Sequence, residues 1–167
     1  MIKNIPNFTF LKTTKTYTVT EAQSRMEHYC AYQERCHKEV EQKLREMKMI
    51  PEAVEIIIGH LLQYNFLNES RFSQAFARGK FNHKKWGKRR IITELKFRNI
   101  SEYNIRLALK EISEGDYLNT FHALAEKRFH QLDSEKNLQK KRKKFTDYLL
   151  YRGWESHLIY DKLRELI

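Results

Sequence analysis

Apolar residues recur along this chain at the three-and-four spacing of a helix face, not at the alternation of a strand. From Val54, the residues Ile57, Ile58, Leu61 and Leu62 follow as a core-facing stripe. Phe72 and Phe76 lie one turn apart on a common face. Ile105, Ala108, Leu109 and Ile112 repeat the stripe, and Ile159, Leu163 and Leu166 close the chain with it. Alternating patterns are absent after Thr20, and two prolines and five glycines leave little room for long loops. The pattern predicts an all-α protein.

The same apolar motif occurs three times. Val40 to Leu44, Ile91 to Leu95 and Phe145 to Leu149 each begin helix-like, reach a turn and pass into a second amphipathic run. The three leucines recur about fifty residues apart, the spacing of a helical repeat array. After Leu95, the run Lys96, Phe97, Arg98, Asn99, Ile100 parallels Leu150, Tyr151, Arg152, Gly153, Trp154. Asn99 and Gly153 tolerate the left-handed conformation that ends a helix, and Ile100 or Trp154 then folds back as in a Schellman closure. After Leu44 the chain reaches Pro51 with an extra residue and neither glycine nor asparagine, so there the closure signal is missing.

These repeats predict three tandem three-helix units in an elongated, curved array: residues 19–67, 68–113 and 114–167. Each unit is marginal alone and must pack on its neighbours. Residues 1–18, with Phe8, Phe10, Tyr17 and several threonines, suit an extended arm. Thr20 with Gln23 has the form of a capping box that opens the first helix. Pro51 suits the first turn of the third helix. Asn68 is the N-cap expected for the fourth, and the sixth follows Ser101.

Charge adds a direction. With 32 Lys and Arg against 21 Asp and Glu, the net charge is +11, which points to an anionic partner, nucleic acid before membrane. The excess is clustered. Arg78, Lys80, Lys84, Lys85, Lys88, Arg89 and Arg90 form one block without an acidic residue, and Lys136, Lys140, Lys141, Arg142, Lys143 and Lys144 form another. In the repeat register both blocks fall at the entry to a second helix, where the first unit has Arg35, His37 and Lys38.

Cations at a helix N-terminus oppose the dipole by roughly 0.3–1 kcal/mol each, and a docked anion reverses that sign. The candidate residues for binding an anionic partner, nucleic acid first, are therefore Arg35, Lys38, Lys84, Lys85, Trp86, Lys88, Arg89, Arg90, Lys140, Lys141, Arg142, Lys143 and Lys144. Charge reversal at Lys88, Arg89 and Arg90 is expected to weaken binding while leaving helicity intact. The bland alternative is a solvated basic face, with Trp86 stapled onto its own helix rather than stacking on a base.

Catalysis is poorly supported. No phosphate-cradling glycine loop occurs, the seven histidines form no HExxH pair, and Glu39, Glu94 and Asp147 fall in separate units. Glu94 is placed to support its own helix through Arg90 or Arg98. Cys30 and Cys36 have neither disulfide-framework nor zinc spacing, and no cofactor is implied. Cys36, among Arg35, His37 and Lys38, is either an ordinary buried thiol or, less favoured, a reactive one with a depressed pKa. No run approaches a membrane span and no secretory leader is evident, so a cytoplasmic protein is expected; without a heptad seam, it is expected as a monomer.

Several of these residues resemble the RecX family of RecA regulators. Asn68, Glu69, Ser70, Arg71, Phe72, followed by Gly87, Lys88, Arg89, Arg90, Ile91, Ile92, Thr93, Glu94, Leu95, is similar to the family's acidic-x-x-Arg-Phe and G-x-x-R-I-x-x-E-L signature. Cys36 to Val40 resembles its first-unit Ser-x-x-Glu-Leu, and Arg152, Gly153, Trp154 its third-unit Arg-Gly-aromatic turn. The chain departs at Cys36, where serine is usual, and at Asn99, where glycine is. The resemblance covers residues from about 20 to the end. It implies three tandem three-helix units that bind along the groove of the RecA–DNA filament. There the family blocks ATP hydrolysis and strand exchange or promotes disassembly, in recombination, DNA repair and the SOS response. A direct DNA- or RNA-binding module is the competing expectation, in which the same cations neutralise phosphates and affinity falls steeply with salt.

Overall fold

The computed structural model describes residues 16–167, which are helical throughout apart from short connections. The first unit comprises α1 (Val19–Tyr32), α2 (His37–Glu46) and α3 (Pro51–Gln63). The second comprises α4 (Glu69–Lys84), α5 (Lys88–Phe97) and α6 (Glu102–Lys110), and the third α7 (Glu114–His130), α8 (Leu138–Tyr151) and α9 (Ser156–Leu166). The arm expected over 1–18 lies outside the described residues except for 16–18.

Short polar side chains start most of these helices. Asn68, Ser101, Ser113 and Asn137 each accept a first-turn backbone N–H. At α1 the expectation of Thr20 with Gln23 is corrected. Thr18 is the N-cap, its Oγ1 accepts from the Glu21 amide at 3.2 Å, and the Glu21 carboxylate accepts the Thr18 N–H at 2.8 Å. A carboxylate at this position also complements the positive helix end, which a glutamine amide does not. Gln23 instead reaches His60 of α3 at 3.2 Å.

The buried residues fall into two cores. Ala22, Met26, Cys30, Val40, Leu44, Val54, Ile57, Ile58 and Leu61 close the first unit on itself. The second core is shared by the second and third units, from Phe72, Phe81, Ile91 and Leu95 to Phe121, Phe145, Leu149 and Trp154. Cys36, at the head of α2, packs into that second core and so ties the first unit to the rest. Leu62, expected in the α3 stripe, is exposed. It sits about 80° round the helix from Val54, beyond the edge of the buried face. Lys162 stands where the register puts Ile57 and Ala108. It is only 5 % exposed, and Glu126 and Glu165 each bind its Nζ at 2.9 Å.

All three second helices end alike. After α5 and α8, Asn99 (φ 60°) and Gly153 (φ 84°) are left-handed, and Ile100 and Trp154 donate back to Leu95 and Leu149 at 3.1 and 3.2 Å. After α2, Lys48 takes φ 60° and Met49 donates to Leu44 at 3.1 Å. The first unit therefore closes by the Schellman motif although neither glycine nor asparagine announces it. A lysine there bears a backbone cost of roughly 1 kcal/mol. Lys48→Gly is expected to raise stability by about that amount in chemical denaturation, and a loss of stability would contradict the assignment.

Candidate nucleoprotein-binding surface

The basic block before α5 sits at a junction between helix ends. Gly87, the N-cap of α5, donates its N–H to the Arg152 carbonyl at 2.8 Å, and Arg89 donates to the Gly153 carbonyl at 3.2 Å. Lys88 donates its backbone N–H to the Tyr117 hydroxyl at 2.8 Å, and that hydroxyl donates to Glu155 at 2.7 Å. Burial, foremost, pushes the Tyr117 pKa far up, so its O–H stays in place as a donor. The carbonyls just past α8 thus serve the first donors of α5, so that the negative end of one helix meets the positive end of the other.

Glycine is required on both sides of this contact. A Cβ on Gly87 would lie 2.3 Å from the Gly153 carbonyl oxygen, and one on Gly153 would lie 2.3 Å from the Arg90 Cβ. The arginines complete the joint. Arg90 donates to the Tyr151 carbonyl at 2.8 Å, with its guanidinium 4.1 Å from the Trp86 ring centroid and 4.4 Å from that of Tyr151. Arg152 reaches the Lys84 carbonyl at the end of α4. Both arginines satisfy terminal carbonyls of helices, where a cation is favoured.

This corrects the sequence reading of the α5 entry, in which free backbone donors awaited an outside anion. Those donors are already taken by the chain's own carbonyls and by Tyr117. Lys88 is paired with Glu114 at 3.0 Å, and Arg89 contacts the Ser156 hydroxyl at 3.3 Å. Trp86 is half-buried, its ring 6.4 Å from that of Phe76 in α4 and 4.1 Å from the Arg90 guanidinium, centroid to centroid and centroid to carbon. Charge reversal at Lys88, Arg89 and Arg90 therefore strikes the joint between the second and third units as well as any binding.

The first unit meets α5 at its other end. Lys38, in the first turn of α2, donates to the Phe97 carbonyl at 2.7 Å and lies 4.0 Å from that ring's centroid. Arg98, at the α5 C-cap, binds Glu94 at 2.7 Å and approaches Glu39 of α2 at 3.7 Å. Of the two partners expected for Glu94, Arg98 is the one found and Arg90 is not. Arg35 is half-buried, its guanidinium 4.0 Å from the Tyr29 ring centroid.

Three of the six cations in the block at α8 are neutralised by acidic residues that flank it in sequence. Lys141 pairs with Asp133 at 2.9 Å, Lys143 with Asp147 at 2.7 Å and Lys144 with Glu135 at 2.6 Å. Lys140 and Arg142 are exposed and have no carboxylate partner among the described residues. The Lys140 backbone N–H is held by the Asn137 cap at 3.0 Å.

A different group of cations is left unpaired and brought together. Arg128 and Arg152 flank the Tyr148 ring, at 4.7 and 4.8 Å from its centroid. The Arg152 contact to the Lys84 carbonyl carries the patch to the end of α4, where Lys84 and Lys85 are exposed. Lys85 in turn shares a groove with Lys127 of α7. Among the described residues, none of these five cations has a carboxylate within ion-pair distance. The sequence singled out Lys84 and Lys85 but missed Lys127, Arg128 and Arg152. Arg152 was visible as a turn residue, whereas two lone basic residues on α7 carry no sequence signal that they face α4 and α8.

The cysteines play no part in this surface. Both thiols are buried, and burial pushes Cys36 up and Cys30 to about 11, the reverse of the reactive thiolate considered for Cys36. In the folded protein both should resist iodoacetamide at neutral pH, and react once the chain is denatured. The stability tied to Cys30 is fully present below its ordinary value of 9.0 and lost as pH rises through about 11. Rapid alkylation of the native protein at neutral pH would contradict this.

No helix among the described residues is long and apolar enough to cross a membrane. No group of His, Cys, Asp and Glu among them could hold a metal ion.

Two family models match the chain. Residues 68–109 fit the model described as RecX, second three-helix domain, and residues 115–163 the one described as RecX, third three-helix domain. Together they cover more than half of the sequence. Among curated proteins, the chain is 27% identical over 132 residues to the regulatory protein RecX of Enterococcus faecalis, covering 79% of this chain and 49% of that one. It is 29% identical over 132 residues to the regulatory protein RecX of Clostridium acetobutylicum, covering 77% and 61%. Its likeness to the regulatory protein RecX of Yersinia pseudotuberculosis is 32% over 105 residues, covering 62% and 55%. The chain thus spans from about half to three-fifths of the length of these relatives. The crystal structure of RecX from Lactobacillus salivarius superposes with a TM-score of 0.73 at 24% identity, covering 89% of this chain and 96% of that one. A second structure, of a regulatory protein RecX, gives 0.76 at 24% identity, covering 88% and 73%. At that identity these structures speak for the fold.

Proposed function

The chain belongs to the RecX family, and from that premise we propose that it regulates a RecA recombinase by binding the RecA–DNA filament. In this reading it is mainly an inhibitor, suppressing ATP hydrolysis and strand exchange and so modulating recombination and DNA repair. It acts in the cytoplasm as a monomer, without cofactor and without chemistry of its own. The observation that carries the reading is the match of both C-terminal units to RecX domain models.

Within that reading, the unpaired cations Lys84, Lys85, Lys127, Arg128 and Arg152 are the principal contact with the filament, and Lys140 and Arg142 extend it along α8. Such a surface steers association and sets partner choice more than it adds raw affinity. Arg35, Lys38, Trp86, Lys88, Arg89 and Arg90 act mainly by holding the three units in the arrangement that presents those cations. The three ion-paired lysines, Lys141, Lys143 and Lys144, contribute through the summed field of the block.

The test is a titration of the protein into RecA assembled on single-stranded DNA, with ATP hydrolysis as the readout. Hydrolysis is expected to fall in a dose-dependent, saturable way. No change at saturating protein would overturn the inhibitory reading.

A further inference from the structure

The groove beside Lys85 has a character that simple charge does not explain. It is a slot of about 390 Å³ between the end of α4 and the outer face of α7, with Ala123 and Leu124 as its apolar lining and Asn119 and Thr120 at one end. Lys85 and Lys127, both exposed, line it as well. Lys85 is exposed and takes a left-handed backbone, φ 52°, at the C-cap of α4. Among the described residues, no aromatic one lines the slot. A nucleobase entering it would find no ring to stack on, although stacking is the main sequence-independent gain for single-stranded nucleic acid. An aliphatic side chain, by contrast, finds apolar walls, and carboxylates on either side of it find two free ammonium groups.

We propose that this slot receives a leucine-sized side chain from an acidic segment of a partner protein, with Lys85 and Lys127 engaging the flanking carboxylates. Arg128 and Arg152, spread on Tyr148, continue the cationic track for the rest of the segment. The charge match selects an acidic partner, and the apolar lining selects where along it the segment seats. The inference rests on the reading that this face meets a protein coat on DNA. It deepens that reading by naming the chemistry of the contact.

The test uses the whole protein and a fluorescein-labelled acidic peptide carrying one leucine between glutamates, followed by fluorescence anisotropy. Saturable binding is expected, weakened about tenfold or more by Lys127→Glu, by Ala123→Phe, which fills the slot, and by leucine-to-serine exchange in the peptide. Lys110→Glu, exposed on α6, serves as the charge control and should leave binding unchanged, and thermal melts confirm that each variant is folded. Absence of binding, equal binding of the serine peptide, or insensitivity to both slot variants would overturn the proposal. So would displacement of the peptide by oligothymidylate that itself binds more tightly and equally well to the Ala123→Phe protein. ATPase inhibition by the unaltered protein, measured in parallel, separates the two failures: retained inhibition without peptide binding sinks the slot alone, and lost inhibition with intact peptide binding sinks the regulatory reading alone.

Discussion

Gly153→Ala and Gly87→Ala should each destabilise the protein by roughly 3 kcal/mol, among the larger effects expected of any single methyl group here. At Gly153 the new Cβ meets the Arg90 Cβ and backbone nitrogen at 2.3 and 2.4 Å, and the backbone is left-handed as well. At Gly87 it meets the Gly153 carbonyl at 2.3 Å. In neither case is the obstacle the far end of a flexible side chain, so relief requires the α5 and α8 ends to part. That breaks the Gly87 to Arg152 hydrogen bond and opens the core behind Trp154.

The same substitution at Gly59, Gly79 or Gly115 meets nothing within 4 Å and lies within a helix. There alanine should be neutral or stabilise by up to about 1 kcal/mol. Thermal melts of the five variants provide the check. For a chain of this length, 3 kcal/mol corresponds to a fall in Tm of roughly 6–12 °C. If Gly87→Ala and Gly153→Ala melted with the other three, the helix-end joint would not exist as described.

The second large effect concerns function. Lys84→Glu, Lys85→Glu and Lys127→Glu combined should weaken inhibition of the RecA ATPase by about a hundredfold, while the protein stays folded with a Tm lower by a few degrees, because all three lysines stand at helix C-terminal ends, where a cation is favoured. The three ammonium groups are exposed and, among the described residues, no carboxylate holds them, so their reversal disturbs no ion pair there. Against an acidic partner the reversal replaces attraction by repulsion, which costs several kcal/mol across a few contacts. Lys143→Glu with Lys144→Glu should do less, because Asp147 and Glu135 already neutralise those lysines. Dose–response curves for the two variants side by side decide this. An equal loss in both would mean that net charge, not the unpaired patch, is recognised.

Much of the fold was legible because it rests on local signals. The apolar i, i+3, i+4 stripes place α3, α6 and α9, and the Leu44, Leu95 and Leu149 register marks where α2, α5 and α8 turn. One misreading and one missing signal were also local. Thr18 and Thr20 compete for the same cap, and Glu21 settles the choice because a carboxylate serves the helix start better than an amide. Lys48 closes α2 in a conformation that no residue type there advertises, and the fold-back of Met49 onto Leu44 holds it.

The surface was harder to read, for a physical reason. A run of cations in sequence reveals neither which helix ends it will cap nor which acidic residues it will meet. Arg90 and Lys38 are committed to carbonyls of Tyr151 and Phe97, distant in sequence. Lys141, Lys143 and Lys144 find Asp133, Asp147 and Glu135 just outside the block. The unpaired patch is assembled from α4, α7 and α8. Its existence follows from tertiary packing rather than from any motif.

The most direct test is the affinity of the protein for RecA-coated single-stranded DNA against the same strand bare, at about 200 mM salt, where phosphate-driven binding is already weakened. A unit that recognises the filament through its unpaired cations should bind the coated strand at least about tenfold more tightly, and the combined Lys84, Lys85 and Lys127 reversal should remove that preference. Equal affinity for coated and bare strands, falling together as salt rises, would contradict it and leave a plain nucleic-acid-binding module.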